Sequence, residues 1–320
     1  ANGLHRNGQD VAWLPMHGNS ARLVDRKSAL ATAEDSLKPV MRELWNRDVD
    51  ADTLLLDVPP WKWHRYWLEA EPQLRPFCYL AWETTQLPPK WRKSLNAYEA
   101  VFVPSEFNKQ VFIDQGITTR VETVPHIARK TKSASSPTFP GSEHVGEKQF
   151  VFYTIGTWIT RKAMEKTIRA YLDAFTAKDP VLLLIKTEYW NQMAIKNWFE
   201  SDSRSKPSLA QSTAWSLARI LSDYRSPAAI HLLPDYIGSE ELDAIHRRGD
   251  CFVSLAHSEG WGLGAFDAAL AGNPVIMTGW GGHLDYLGEA HPGLVDYQLR
   301  PTEDDPDDGH FHRSSDAVWA

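Results

Sequence analysis

The segment that most constrains the fold runs from Cys251 to Thr278. A buried-type strand, Cys251-Phe252-Val253-Ser254-Leu255, enters the turn Ser258-Glu259-Gly260-Trp261-Gly262-Leu263-Gly264. An apolar helical stretch, Ala265 to Leu270, then leads to a second strand, Pro274 to Thr278. That order is one unit of a parallel α/β sheet. Gly260, Gly262 and Gly264 let the backbone approach a ligand and leave free N–H groups at the helix start, a ready phosphate site. Two carboxylates frame the turn. Glu259 precedes the helix, and Asp267 lies within it among Ala265, Phe266, Ala268, Ala269 and Leu270, so it faces inward or toward a cleft. A buried carboxylate is costly without hydrogen-bond partners. The vicinal hydroxyls of a sugar or ribose would supply them, so the segment reads as a holder of a nucleotide sugar.

The rest of the chain repeats this grammar. Apolar runs at Val11–Met16, Thr53–Val58, Phe77–Trp82, Ala100–Val103 and Val121–Val124 alternate with helical stretches. Near-continuous apolar strands of this kind belong to a parallel sheet covered on both faces. Residues 129–149 turn polar and aperiodic, as a linker does. Strands then recur at 150–155, 181–186, 229–233, 251–255 and 274–278, and Met164, Ile168, Tyr171, Leu172 and Phe175 mark one helix face. The prediction is two Rossmann-like doubly wound domains, 1–128 and 150–320, facing a cleft, with ligands at the carboxyl ends of the strands.

Cations stand at those strand ends. The first strand of the second domain ends at Gly156-Thr157, and the following helix is expected to open with Thr160-Arg161-Lys162. Two cations at a helix N-terminus oppose the macrodipole, at roughly 0.3–1 kcal/mol each; a bound diphosphate would reverse that sign. The next strand ends in Lys186, a third cation at the same rim. Taken singly, each is equally well a solvated surface charge.

The acid, glycine turn, helix, second acid and Ala271-Gly272-Asn273-Pro274-Val275-Ile276 together resemble the nucleotide-sugar motif of retaining GT-B glycosyltransferases, and most of all the group 1 family, glycosyltransferase family four. The resemblance covers nearly the whole chain and is most specific at 251–287. It implies that Glu259 contacts the donor sugar, and that Asp267, where the family has glutamate, holds the ribose. It implies a diphosphate clamp at Lys162, with Arg161 substituting for an arginine the family places at Thr157. It assigns the base to the loop Asp235-Tyr236-Ile237, through backbone contacts and Ile237 or Tyr236. Helix N–H groups at Gly262 and Leu263, with Gly156, Gly260, Trp261 and Lys186, complete the expected donor site. Glu83 falls where many members carry histidine; it contacts the donor sugar, binds the acceptor hydroxyl, or stabilises its own loop. The resemblance also implies a first strand before residue 1 and a helix after residue 320.

Composition bounds the alternatives. At 320 residues with a formal charge of −7 and no basic run, the chain is long enough for two domains and unsuited to nucleic acid. It has no apolar run of membrane-spanning length and no signal-peptide pattern. Cys78 and Cys251 lie in apolar runs and read as buried thiols of a cytoplasmic protein. Of the 14 tryptophans, Trp61, Trp63 and Trp67 offer a candidate surface for peripheral contact with the inner face of the membrane, although core packing explains them as well. Asp48-Val49-Asp50 has the form of a metal-binding D-x-D but precedes its strand, and Glu303 to His312 has the composition of a loop. The expectation is therefore a metal-independent retaining glycosyltransferase needing no cofactor. It would move a sugar from a nucleotide-diphosphate sugar to a glycan or lipid-linked acceptor, as in polysaccharide biosynthesis. A nucleotide-sugar epimerase, a phosphorylase-like enzyme and a catalytically silent nucleotide-sugar or glycan-binding subunit are the alternatives.

Overall fold

The computed structural model describes residues 2–13, 39–45, 47–57, 72–128, 138–146, 148–192, 208–302 and 317–320. The tryptophans at 61–67, the first part of the expected linker (129–137) and the acidic loop 303–312 lie outside the described residues.

The chain divides into two compact units that interleave in sequence. The first comprises Ala1–Leu80, Pro89–Phe102 and Gly116–Glu122; the second comprises Ala81–Pro88, Val103–Gln115 and Thr123–Ala320. Compactness thus draws a different line from the single boundary at 129–149, because 81–88, 103–115 and 123–128 belong to the second unit.

The first unit is built on a sheet of four strands, β1 (Thr53–Leu56), β2 (Arg75–Tyr79), β3 (Ala100–Val103) and β4 (Arg120–Thr123), in that spatial order. β2 runs parallel to both β1 and β3. Cys78, Val101, Ala100 and Leu95 are fully buried, so the apolar runs read from the sequence form this core. The expected first strand is not formed over its described part. Trp13 makes only an isolated bridge to Trp45, its N–H donating to Leu44 O at 2.6 Å, while the rest of the run, 14–16, is outside the described residues. The two indoles meet edge to face at 5.2 Å, a packing of rings in place of a ladder.

The second unit carries β5 (Phe150–Ile155), β6 (Val181–Lys186), β7 (Ala229–Leu233), β8 (Cys251–Ser254), β9 (Val275–Thr278) and β10 (Leu294–Val295), ordered β10-β9-β8-β5-β6-β7 and parallel throughout. β6 shows why the runs are continuously apolar. Leu182 and Leu184 face one core, with Ala244 and Ile245 of helix Ser239–Arg248 and Ala265 and Ala268 of helix Leu263–Leu270. Val181, Leu183 and Ile185 face the other, with Met164, Ile168 and Leu172 of helix Met164–Ala174 and Leu217 and Ile220 of helix Thr213–Leu221. Both faces are covered, so neither alternates with polar residues.

The chain proceeds outward from β5 through β6 to β7, then crosses back to lay β8, β9 and β10 on the other side. The order of strands reverses between β5 and β8. Loops leaving the carboxyl ends of these two strands diverge and open the crevice in which such sheets bind ligands.

Leu184 is fully buried in this sheet, so Leu184→Ala should cost about 2–5 kcal/mol, measured by urea unfolding of the second unit. A loss below 1 kcal/mol would mean that this face is not close-packed.

Candidate active site

Four charged side chains of the second unit converge at the reversal. The loop after β8 places Glu259 between the two cations of the loop after β5. Arg161 Nη1 donates to Glu259 Oε2 at 3.1 Å and to Ser258 O at 2.7 Å, and Lys162 Nζ donates to Glu259 Oε1. Arg161 Nη2 also lies 3.4 Å from Glu83 Oε1. A backbone bond from His257 N to Arg161 O, 2.8 Å, closes the same junction. The side chains of Arg161 and Glu259 are each only 10% exposed, so these pairs sit largely away from water.

The local fold differs from the sequence expectation. Thr160–Lys162 forms a 3₁₀ turn, and helix Met164–Ala174 begins only after Ala163, which adopts the left-handed conformation (φ 45°). The cations therefore sit ahead of the α-helix, and the macrodipole argument does not govern them. Glu259 and Glu83 compensate them instead. Two formal positive charges meet two negative ones, and the cluster is neutral.

Burial alone pushes the Glu259 carboxyl up. The charges of Lys162 and then Arg161, with the hydrogen bond from Lys162, outweigh it and hold the group below the usual carboxylate range. Lys186 is shifted down, first by burial, with Glu188 and Asp235 acting against it, and its Nζ donates to Thr187 O at 2.5 Å.

Packing within the protein already demands glycine in the turn. A Cβ on Gly260 would lie 3.0 Å from Ala81 Cβ and 3.1 Å from Trp82 O, and one on Gly264 would press on the Phe252 ring at 3.2 Å. Gly262 is left-handed (φ 80°), which favours glycine on its own account. The turn is fixed from both sides. Ser105 Oγ donates to Gly260 O at 2.8 Å, and Gly282 N donates to Glu259 O at 2.7 Å. Trp261 is buried and packs with Phe266 and Tyr286, at centroid distances of 5.2 and 5.0 Å. Gly262 leads into helix Leu263–Leu270 without a side-chain cap, so the first-turn N–H groups at Leu263 and Gly264 keep their affinity for an anion.

Beside that helix start lies a cavity of about 430 Å³, lined by His126, Ile127, Ile155, Leu242, His246, Leu263, Gly264, Phe266 and Asp267. Its size suits a small-molecule ligand. Asp267 is thus half-buried in a cavity wall. Ile155, directly before Gly156, and Leu263-Gly264 link the cavity in sequence to the charged cluster. Other expected contacts lie outside its lining: Ile237 packs against the core, Tyr236 is 87% exposed, and Asp235 is exposed. Gly156 donates to Lys186 O at 3.0 Å and underlies the Lys162 side chain, while Thr157 O accepts from Ile159 N at 3.1 Å. Leu242 and His246, which line the wall, are spaced as neighbours on one helix face, yet nothing in the sequence marks that face as facing a cavity. Asp48 and Asp50 are exposed ahead of β1, and among the described residues no group of three His, Cys, Asp or Glu is placed to hold a metal.

No protein-family model matches the chain, and no curated protein matches it. Solved structures match it in fold. An α,α-trehalose-phosphate synthase (UDP-forming) from Burkholderia xenovorans, in complex with glucose-6-phosphate, gives a TM-score of 0.58 at 13% identity, over 78% of this chain and 64% of that one. The α,α-trehalose 6-phosphate synthase of Burkholderia multivorans gives 0.57 at 13%, over 85% and 66%. The E. coli trehalose-6-phosphate synthase bound with UDP-2-fluoro glucose gives 0.55 at 15%, over 77% and 62%. The chain spans less than two thirds of the length of these synthases. At such identity the likeness is one of fold: the chain has the α/β GT-B fold of these retaining glycosyltransferases. The structures matched are trehalose-6-phosphate synthases, so the narrower placement in glycosyltransferase family four is not confirmed.

Glu259→Gln removes the carboxylate shared by Lys162 and Arg161, leaves one net positive charge in a poorly hydrated cluster, and should cost about 3–5 kcal/mol in thermal or urea unfolding. The sign of the pH dependence follows from the lowered carboxyl. Its contribution is complete above the unfolded value of about 4.3 and is lost as pH falls through the folded value. The acid limb of the stability curve should therefore be shallower in Glu259→Gln than in the wild type. Parallel curves would refute the pairing.

Proposed function

We propose that the chain transfers a sugar from a nucleoside-diphosphate sugar to a glycan-type acceptor with retention of configuration, without a metal or other cofactor. The observation that carries this is the meeting of Arg161, Lys162 and an uncapped helix start at the strand reversal, beside a cavity walled by Asp267. As the bond between the anomeric carbon and the diphosphate oxygen breaks, negative charge grows on the leaving diphosphate. Lys162, Arg161 and the N–H groups of Leu263 and Gly264 are preorganised to receive it, a form of stabilisation that commonly supplies the largest share of catalysis. The diphosphate displaces Glu259 as the partner of Lys162, which frees the Glu259 carboxylate to accept from donor-sugar hydroxyls. Glu83 supplies a second acceptor at that sugar, and Asp267 holds the ribose. Leu242 offers an apolar wall for the base, in addition to the contacts proposed for the loop Asp235-Tyr236-Ile237.

The neighbours favour a first donor and acceptor to test. One of them holds UDP-2-fluoro glucose and another glucose-6-phosphate, so a uridine nucleotide and a sugar phosphate head the trial. A lipid-linked acceptor, reached from the inner face of the cytoplasmic membrane, is the finer form of the proposal. Among the described residues no helix is long and apolar enough to cross a membrane. Residues 1–128 are proposed to serve the acceptor and 150–320 the donor.

Calorimetric titration with UDP, GDP and ADP, each with EDTA present, tests the proposal. One of them should bind, insensitive to EDTA, and Lys162→Ala should weaken it by about 10–100-fold, the worth of a charged hydrogen bond. In Glu259→Gln, binding should be retained and transfer lost. If none of the three binds the wild type, the assignment of the donor site is wrong.

A further inference from the structure

The first turn of helix Glu106–Asp114 holds two other segments at once. Ser105 and Asn108 are both fully buried. Ser105 Oγ accepts from Asn108 N at 3.2 Å as the helix cap and donates to Gly260 O at 2.8 Å. Asn108 stands three residues after the cap, where a capping box would place Glu or Gln to reach back to the cap residue. Its amide turns to Trp82 instead. Oδ1 accepts from Trp82 N at 3.1 Å, and Nδ2 donates to Trp82 O at 2.6 Å. One side chain thus takes both main-chain groups of Trp82, and the reversed amide would set oxygen against oxygen. A Cβ on Gly260 would lie 3.2 Å from the same Asn108 Oδ1, so the three residues share one junction.

Trp82 precedes Glu83, and Gly260 follows Glu259. Those two carboxylates are the ones that meet on Arg161, at 3.4 and 3.1 Å. The chain beyond Glu83 is tied down as well. Trp82 Nε1 is shared between Thr84 Oγ1 and Gln86 O, at 2.9 and 2.7 Å, and Thr85 exchanges two hydrogen bonds with Val318. Residues on both sides of Glu83 are therefore fixed by contacts that do not involve Arg161, and the scaffold places the carboxylate. We infer that Asn108, supported by Ser105, is a positioning residue: it acts through Glu83, fixing that carboxylate against Arg161 at the donor sugar, and so sets turnover rather than nucleotide affinity. This rests on the sugar-transfer reading above. The diphosphate contacts proposed for Lys162, Leu263 and Gly264 lie on other loops, so loss of the amide leaves them in place.

The test measures UDP release from UDP-glucose with glucose 6-phosphate, and calorimetric affinity for UDP, in the wild type, Asn108→Ala, Glu83→Ala and the double variant. Asn108→Ala should lower kcat by about 10–100-fold, the cost of a displacement on the ångström scale. Its Kd for UDP should stay within about twofold of the wild type, and in the Glu83→Ala background it should lower kcat by no more than about twofold. Losses that multiply in the double variant, or UDP binding that falls as far as kcat, overturn the inference and leave the transfer reading standing. A wild type that releases no UDP from this pair counts against the transfer reading, and urea unfolding of the same four proteins then decides the inference. Glu83→Ala should lower the unfolding midpoint in the wild type and leave it unchanged in Asn108→Ala; equal lowering in both refutes the positioning. If Asn108→Ala does not fold, Asn108→Asp, which keeps the size and the bond from Trp82 N, takes its place with the same expectations.

Discussion

The ion pairs of Glu259 are the interaction on which the second unit's site depends. A carboxylate this buried is held by Arg161 and Lys162, which reach it from a loop 97–98 residues earlier in the chain. Removing either side would leave charge stranded in a poorly hydrated place, so neither loop can be repositioned alone. The cluster therefore pins together the ends of β5 and β8, the two strands between which the order of the sheet reverses. With Glu83 included it is electrically neutral, so an anion gains access to the cations by exchanging with a carboxylate already in place.

Around that cluster the backbone is packed too closely to admit side chains. Gly260 lies against Ala81 and Trp82, and a Cβ on Gly282 would fall 1.9 Å from Gly260 O. Ser105 joins this set by capping helix Glu106–Asp114 through Asn108 N while donating to Gly260 O. These contacts explain why 81–88 and 103–115 fold with the second unit. They also make the start of helix Leu263–Leu270 rigid, so its free N–H groups are held in place before any ligand arrives. Such preorganisation is what gives fixed dipoles catalytic value.

Much of this was legible in the sequence. β5, β6 and β7 fall on the residues their apolar runs predict, because a strand covered on both faces has no polar interruption to blur its ends. Glu259, Arg161 and Lys162 were each conspicuous as charges beside apolar strand ends. Their pairing with one another was not visible, since no local pattern reports a contact between residues so far apart in the chain. The 3₁₀ turn was hidden for a different reason. Ala163 takes a left-handed conformation without being glycine, and the sequence offers no mark of it. The packing of Trp261 with Phe266 and Tyr286 was not visible in the sequence, since Tyr286 reaches the turn only through the fold. The burial of His246 against Tyr153 and Asn273 was not visible within its amphipathic helix, because only the fold brings those residues to it.

The central claim is that a diphosphate takes the place of Glu259 on the cations. A crystal structure of the chain with the nucleoside diphosphate that binds it measures this directly. The account predicts phosphate oxygens within hydrogen-bond distance of Lys162 Nζ, Arg161 and the N–H groups of Leu263 and Gly264, with Lys162 withdrawn from Glu259. A complex in which Lys162 and Glu259 stay paired and the phosphates lie elsewhere would contradict it.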